Sequence, residues 1–138
     1  MTTSEPDGPV VDATHDVVAM QVPADVVYVS TLRLTAASLA TRCDLTVDDI
    51  EDLRLAVDEA CALLLPHAAA GTSMDARFEL ASGRLSVRTT VVAGDAAELD
   101  TQGFAWTVLG ALTDDVGVEQ KDGTLAISVT KAREAVQT

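Results

Sequence analysis

At Ala76 the spacing of apolar side chains changes, and that change limits the fold more than any other feature of the chain. Before it, apolar residues recur every third or fourth position, the helical period; after it they alternate, the strand period. A chain that does both must lay helices against a sheet, because each kind of element has one apolar face to bury.

Residues 16–22 are Val-rich and read as a strand ended by Pro23. A first helix is predicted over 24–42, with Asp25 at its positive end and Arg42 at its negative end. Val27, Leu34 and Ala37 form its buried stripe, flanked by Thr31 and Ser38. Residues 43–45 are a linker. Thr46 then caps a second helix with acids in its first turn, which runs to Leu65 and is stopped by Pro66 and Gly71. Ile50, Leu53, Val57, Cys61 and Leu64 are its buried stripe, and Arg54 and Asp58, four apart, are spaced to pair.

Strands at 76–80 and 85–92 flank Ser82-Gly83, a hairpin signal, with Leu85, Val87 and Val91 facing one way and Ser86 and Arg88 the other. A third helix is predicted over 104–112 with Phe104, Val108, Ala111 and Leu112 inward. A last hairpin joins 116–120 to 124–130 around Asp122-Gly123, with Leu125, Ile127 and Val129 alternating. The order is strand, helix, helix, strand, strand, helix, strand, strand. The economical packing is an α+β two-layer sandwich: a mixed, mainly antiparallel sheet covered on one face by helices. Residues 1–14, with Pro6, Gly8, Pro9 and three acids, read as a tail, as do 134–138. The domain between them is 15–133.

The 138 residues carry 22 acidic and 9 basic side chains, a net charge of −13, which argues against direct DNA or RNA binding and suits a basic partner. Aromatics are 3%, so the core is built from Val, Leu, Ile and Ala. The longest apolar run, 60–65, is far short of the roughly 20 residues a membrane span needs. Residues 1–20 hold no basic side chain and do not read as a signal peptide, so the expected location is the cytoplasm. Cys43 and Cys61 make neither a disulfide framework nor a zinc pattern and read as buried, reduced thiols. His15 and His67 have no companions at metal-ligand spacing, so no metal is expected.

Two segments carry more than periodicity. One runs from Asp49 through Leu53-Arg54-Leu55-Ala56-Val57-Asp58-Glu59-Ala60 to His67; the other is Gly103-Phe104-Ala105-Trp106-Thr107-Val108-Leu109, followed by 112–116. With Tyr28, Arg33-Leu34-Thr35 and the closing strand 123–131, in order and at matching spacing, the chain resembles the RsbW-type anti-sigma factors of bacterial stress and sporulation switches. The resemblance spans 17–131. It implies the Bergerat-type ATPase fold shared by histidine kinases, gyrase and Hsp90. It also implies serine-protein kinase chemistry with ATP and Mg²⁺, homodimers, a sigma factor as partner and an anti-anti-sigma (STAS-type) antagonist.

The family box Glu-Ala-x-x-Asn-Ala-x-x-His falls here on Glu59, Ala60 and His67, with Leu63 at the Asn position. The resemblance makes Glu59 the base that orients the attacking hydroxyl, here vestigial. Leu63 offers no oxygen to Mg²⁺, which demands near-octahedral oxygen coordination, and phosphoryl transfer depends on that ion. The adenine box Asp-x-Gly-x-Gly is reduced to Gly94-Asp95. Of the Gly-x-Gly loop only Gly103 remains, Ala105 replacing the second glycine. Residues 89–120 hold no Lys or Arg, and Asp95, Glu98 and Asp100 lie where a lid would close. The lid segment itself, at about ten residues, is short for one that closes over a nucleotide. The nucleotide candidates are therefore Glu59, His67 and Gly103, in a pocket read as decayed. Phe104 and Trp106 read as core fillers.

Arg33 matches the family's sigma-contacting arginine. The run Asp44, Asp48, Asp49, Glu51, Asp52, Asp58 and Glu59 reads first as a solubilising face. It is alternatively a match to the basic surface of a sigma factor. The partner-contact candidates are Arg33, Asp48, Asp49 and Asp52. The preferred expectation is an anti-sigma factor that sequesters an alternative sigma factor without catalysis. The rivals are a working ATP-dependent serine-protein kinase and an acidic adaptor for another basic protein.

Overall fold

A computed structural model describes residues 16–94 and 98–134. The tail expected over 1–14, most of that expected over 134–138, and Asp95 of the lid segment lie outside them. The elements are β1 (Asp16–Pro23), a 3₁₀ turn (Val26–Tyr28), α1 (Val29–Arg42), α2 (Val47–Leu64) and a 3₁₀ turn (Leu65–His67). They continue with β2 (Ser73–Ala81), β3 (Arg84–Val92), α3 (Phe104–Leu112), β4 (Asp115–Lys121) and β5 (Thr124–Ala132).

The strands form one five-stranded sheet in the order β1-β2-β3-β5-β4. Every pairing is antiparallel, so the parallel component allowed by a mixed sheet is absent among the described strands. The register explains the alternation seen in the sequence. Val18, Phe78, Val87, Val129 and Val116 are successive cross-strand neighbours, a row of apolar side chains under the helices. Phe78, Val87 and Val129 are buried, each burial worth about 1.5–3 kcal/mol. Both hairpins turn in two residues. Asp122 (φ 50°) and Gly123 (φ 79°) supply the paired positive φ of a type I′ turn, whose twist matches that of the strands.

α1 and α2 lie side by side on one face of this sheet, and α3 packs against α2. Asp44, in the left-handed region at φ 66°, ends α1; the Leu45 amide bonds back to the Ala40 carbonyl at 3.3 Å. Thr46 and Asp49 then form a reciprocal capping box that starts α2.

The helices begin and end close to where the sequence places them, but two of three face differently. α2 buries Leu53, Val57, Cys61 and Leu64 as expected, with Ala56 and Ala60 beside them. α1 buries Leu32, Ala36 and Ala40 instead of Val27, Leu34 and Ala37. Val27 is 66% exposed and Leu34 62%. The alanines allow α1 to approach the sheet closely, and the larger side chains are left outside. The predicted first helix is also split, because Asp25 caps the 3₁₀ turn through the Val27 amide before α1 begins. α3 buries Leu109 alone; Phe104 is 82% exposed and Ala111 is exposed. Phe104 is therefore not a core filler, whereas Trp106 packs against the core. Among the described residues no helix is long and apolar enough to cross a membrane.

Candidate functional site

α2 positions most of the side chains that the sequence singles out. Its N-terminal half carries Asp48, Asp49 and Asp52. Asp48 stands exposed in the first turn, and Asp49 is committed to the Thr46 cap. Asp52 accepts a hydrogen bond from Lys131 Nζ at 3.1 Å, and the same ammonium donates to the Leu112 carbonyl at 3.1 Å. These acids share a cleft of about 550 Å³ with Asp114, Lys131 and Arg133, at the junction of α2 and the end of β5. The acidic run is thus partly neutralised by the two cations of the last strand and its exit.

Arg33 does not join that cleft. On α1 it faces α2, where its Nη1 donates to Asp58 Oδ1 at 2.7 Å; the two side chains are 30% and 36% exposed. The expected pair of Arg54 with Asp58 does not form. Arg54 bonds Glu51 at 3.3 Å instead, because helix packing turns Asp58 toward α1. Sequence spacing finds partners along one helix, and Asp58 meets Arg33 from 25 residues away.

The outer surface of α1 is notable for what it lacks. Between Val29 and Arg42 the helix has no acidic residue, although the chain carries 22 of them. Exposed Val26, Val27 and Leu34 share this stretch with exposed Ser30, Thr31, Ser38 and Thr41; its charges are exposed Asp25 before it, half-buried Arg33 and exposed Arg42 at the helix end. Leu55 of α2 is exposed as well.

The nucleotide candidates are arranged along α2 and at the entry to α3. Glu59 and Leu63 are one helical turn apart and half-buried, and Leu63 packs against the core. His67 is half-buried in the 3₁₀ turn that follows. Gly103 is the residue before α3, without a side-chain cap. Its Cα hydrogens face Asp100: a Cβ there would meet Asp100 Oδ2 at 2.8 Å. The other oxygen of Asp100 accepts from the Gln102 amide at 2.9 Å. A carboxylate of the chain itself therefore occupies the turn leading into α3, the kind of helix entry that elsewhere holds phosphate. Asp100 lies in the segment that the sequence assigns to the lid; its bond to the amide two residues on is an Asx turn, a local arrangement that a short carboxylate side chain favours. Leu99 is buried in the core beside it.

Among the described residues no group of three His, Cys, Asp or Glu side chains is placed to hold a metal ion. Both thiols are free and buried. Burial, with a smaller contribution from the Asp58 carboxylate, pushes Cys61 up to about 12; burial also raises Cys43.

Residues 22–131 match the model of the histidine kinase-like ATPase domain. The serine-protein kinase RsbW of Bacillus velezensis is 31% identical, over 84% of this chain and 85% of that protein. RsbW of Bacillus subtilis is 47% identical over 38% of this chain and 33% of its own length. Among solved structures, the RsbU and RsbW domains of Rv1364c from Mycobacterium tuberculosis superpose with a TM-score of 0.62 at 18% identity. That match covers 89% of this chain and 35% of the longer one.

Proposed function

This chain belongs to the RsbW family of histidine kinase-like ATPase domains, and on that footing we propose that it is an anti-sigma factor acting by sequestration. It binds an alternative, stress- or sporulation-type sigma factor in the cytoplasm and keeps it from RNA polymerase. An anti-anti-sigma antagonist of the STAS type competes for the chain and releases the sigma factor. The chain works as a homodimer.

The observation that carries this reading is the outward turn of α1. The turn and helix that leave Val27 and Leu34 in solvent while α1 buries alanines present apolar side chains on a helix without acids, in a chain of net charge −13. Such a surface fits protein docking, with Arg33 at its edge as the polar anchor. Asp48, Asp49 and Asp52, on another flank of α2, would steer a basic sigma factor toward it.

ATP and Mg²⁺ do not fit the residues present. Leu63 stands where the metal-holding Asn belongs and packs into the core. The Asp100 carboxylate sits against Gly103 and holds the Gln102 amide, so a phosphate entering that turn would meet a like charge. No cation between residues 89 and 120 offsets it. The retained Glu59, Ala60, His67 and Gly103 favour the second reading, an active serine-protein kinase.

Two measurements separate the readings. Titration with millimolar Mg-ATP should give no binding, and no phosphate should reach a serine of the antagonist. Affinity purification from the native cell should bring down a sigma factor, identified by mass, at low salt and less of it at high salt. Phosphate transfer would establish the kinase. Absence of any sigma factor at low salt would refute the anti-sigma reading.

A further inference from the structure

Residues 1–15 precede β1, and the fold fixes where they leave the sheet. Asp16 pairs with Leu80 at the end of β2. The turn after β2 is bonded to the end of α1, where the Gly83 amide donates to the Cys43 carbonyl at 2.7 Å. Residue 15 therefore departs beside the C-terminal end of α1. α1 contacts β2 and β3, while α2 contacts β3 and β5, so the flank of α1 turned away from α2 is the flank nearest β1.

That flank carries a cation with nothing to meet. Arg33 points toward α2 and is held there by Asp58 at 2.7 Å. Arg42 comes nine residues later, about two and a half turns of a helix with about 3.6 residues per turn, so it points the opposite way, toward β1. It is exposed and forms no ion pair among the described residues. Leu34, 62% exposed, lies between the two arginines on the outer side, with exposed Ser38 and Thr41 on the way to Arg42.

We propose that residues 6–12 of this chain lie back along the outer side of α1, with Asp12 on Arg42 and Val10-Val11 on Leu34, and close that side to other proteins. The inference rests on the reading of α1 as a docking surface and gives that surface an internal competitor. The lengths agree. Leu34 is eight residues before Arg42, about 12 Å along the helix axis. Val10 is six residues before Asp16, up to about 20 Å of extended chain, which covers that distance and the step onto the helix.

Charge selects this occupant. Residues 1–15 hold Glu5, Asp7 and Asp12 and no Lys or Arg. α2 would meet them with six acids and one arginine, and α3 with no charge at all; α1 alone combines arginines with an absence of acids. Asp44, beside the end of α1, is already paired with Arg133 at 2.7 Å. Asp25 stands exposed beyond the other end of the helix, which limits the seat to the stretch between Leu34 and Arg42. A second copy would bring its whole charge of −13 to the same place, whereas the tethered segment brings three acids at an effective concentration of about millimolar.

The test uses the full chain. Native Cys43 and Cys61 are buried and contribute little background. Val10→Cys combined with Leu34→Cys should form a disulfide within one chain on mild oxidation. It should form about tenfold faster than Val10→Cys combined with Arg84→Cys, because Arg84 is exposed and only two strands from Asp16 but lies off α1. Adding Arg42→Glu should slow the first link several-fold, as should high salt. Equal rates at positions 34 and 84, indifference to Arg42→Glu, or a link between chains in place of one within a chain overturns the proposal. Val10→Ser with Val11→Ser should raise the affinity for the sigma factor several-fold; an unchanged affinity beside a formed link also overturns it, since the segment then leaves the surface open. If neither parent nor variant binds a sigma factor, the anti-sigma reading falls, and the cross-linking rates alone decide whether the segment is seated on α1.

Discussion

Asp58 of α2 holds Arg33 of α1 by a 2.7 Å hydrogen bond, so the arginine matched to sigma contact is already tethered within its own fold. One guanidinium nitrogen is used; the rest of the fork remains to meet a carboxylate or carbonyl of the partner. Arg33→Ala should weaken binding of the sigma factor by about 10–100-fold, the scale of an anchoring arginine. Stability should change by less than about 1 kcal/mol, because a half-exposed pair contributes little. Arg33→Lys should not restore affinity, since a lysine lacks the planar fork. Anisotropy titrations with labelled sigma factor, beside urea denaturation, check all three.

Restoring the family residue should not restore the nucleotide. Leu63→Asn places an oxygen on α2 but removes an apolar side chain packed on the core, at a cost of about 1–3 kcal/mol. The Asp100 carboxylate still fills the turn before α3. Calorimetric titration with millimolar Mg-ATP should stay flat for this variant as for the parent; heat of binding in either would contradict the decayed pocket.

The orientation of α3 gives a stability test that separates periodicity from packing. Phe104, assigned to the core by spacing, is 82% exposed, and Phe104→Ser should change stability by less than about 0.5 kcal/mol. Leu109, fully buried, should lose about 2–5 kcal/mol on replacement by Ala. Urea midpoints for the two variants decide it.

The capping box at the start of α2 closes two otherwise open amides, through Thr46 and Asp49. Thr46→Ala should lower stability by about 1 kcal/mol. The loss should appear as faster amide exchange at Asp49 and Ile50 before it appears elsewhere.

The buried thiols set an alkaline limit. Burial first, and Asp58 second, raise Cys61 from 9.0 to about 12, and burial raises Cys43 in the same direction. The folded state holds these protons more tightly than the unfolded chain. The contribution of Cys61 is thus complete below pH 9 and is lost as pH climbs from there toward 12; that of Cys43 is lost in the same direction. For Cys61 the decline should reach about 1.4 kcal/mol per pH unit. Urea midpoints followed upward from about pH 8 should fall, and Cys61→Ala, though less stable at neutral pH, should fall less steeply.

Much of the fold could be read from local pattern because the physics that sets it is local. Alternation at Leu85, Val87 and Val91 names a strand face, Asp122-Gly123 names a tight turn, and Thr46 with the acids after it names a helix start. The family box on α2 likewise lies in consecutive residues, so Glu59, Leu63 and His67 could be placed without coordinates. Which side of α1 faces the sheet could not. Two stripes on that helix are apolar, and the choice of Leu32, Ala36 and Ala40 over Val27 and Leu34 is made by how closely a sheet can approach.

The sequence by itself determined the kind and order of the helices and strands, the family, and the place of Leu63 in the family box, since each is written in neighbouring positions. Only the tertiary structure decided that Arg33 meets Asp58 and that Asp52 meets Lys131. Those contacts join elements whose relative placement depends on the whole core packing at once, and no spacing within a single segment encodes it.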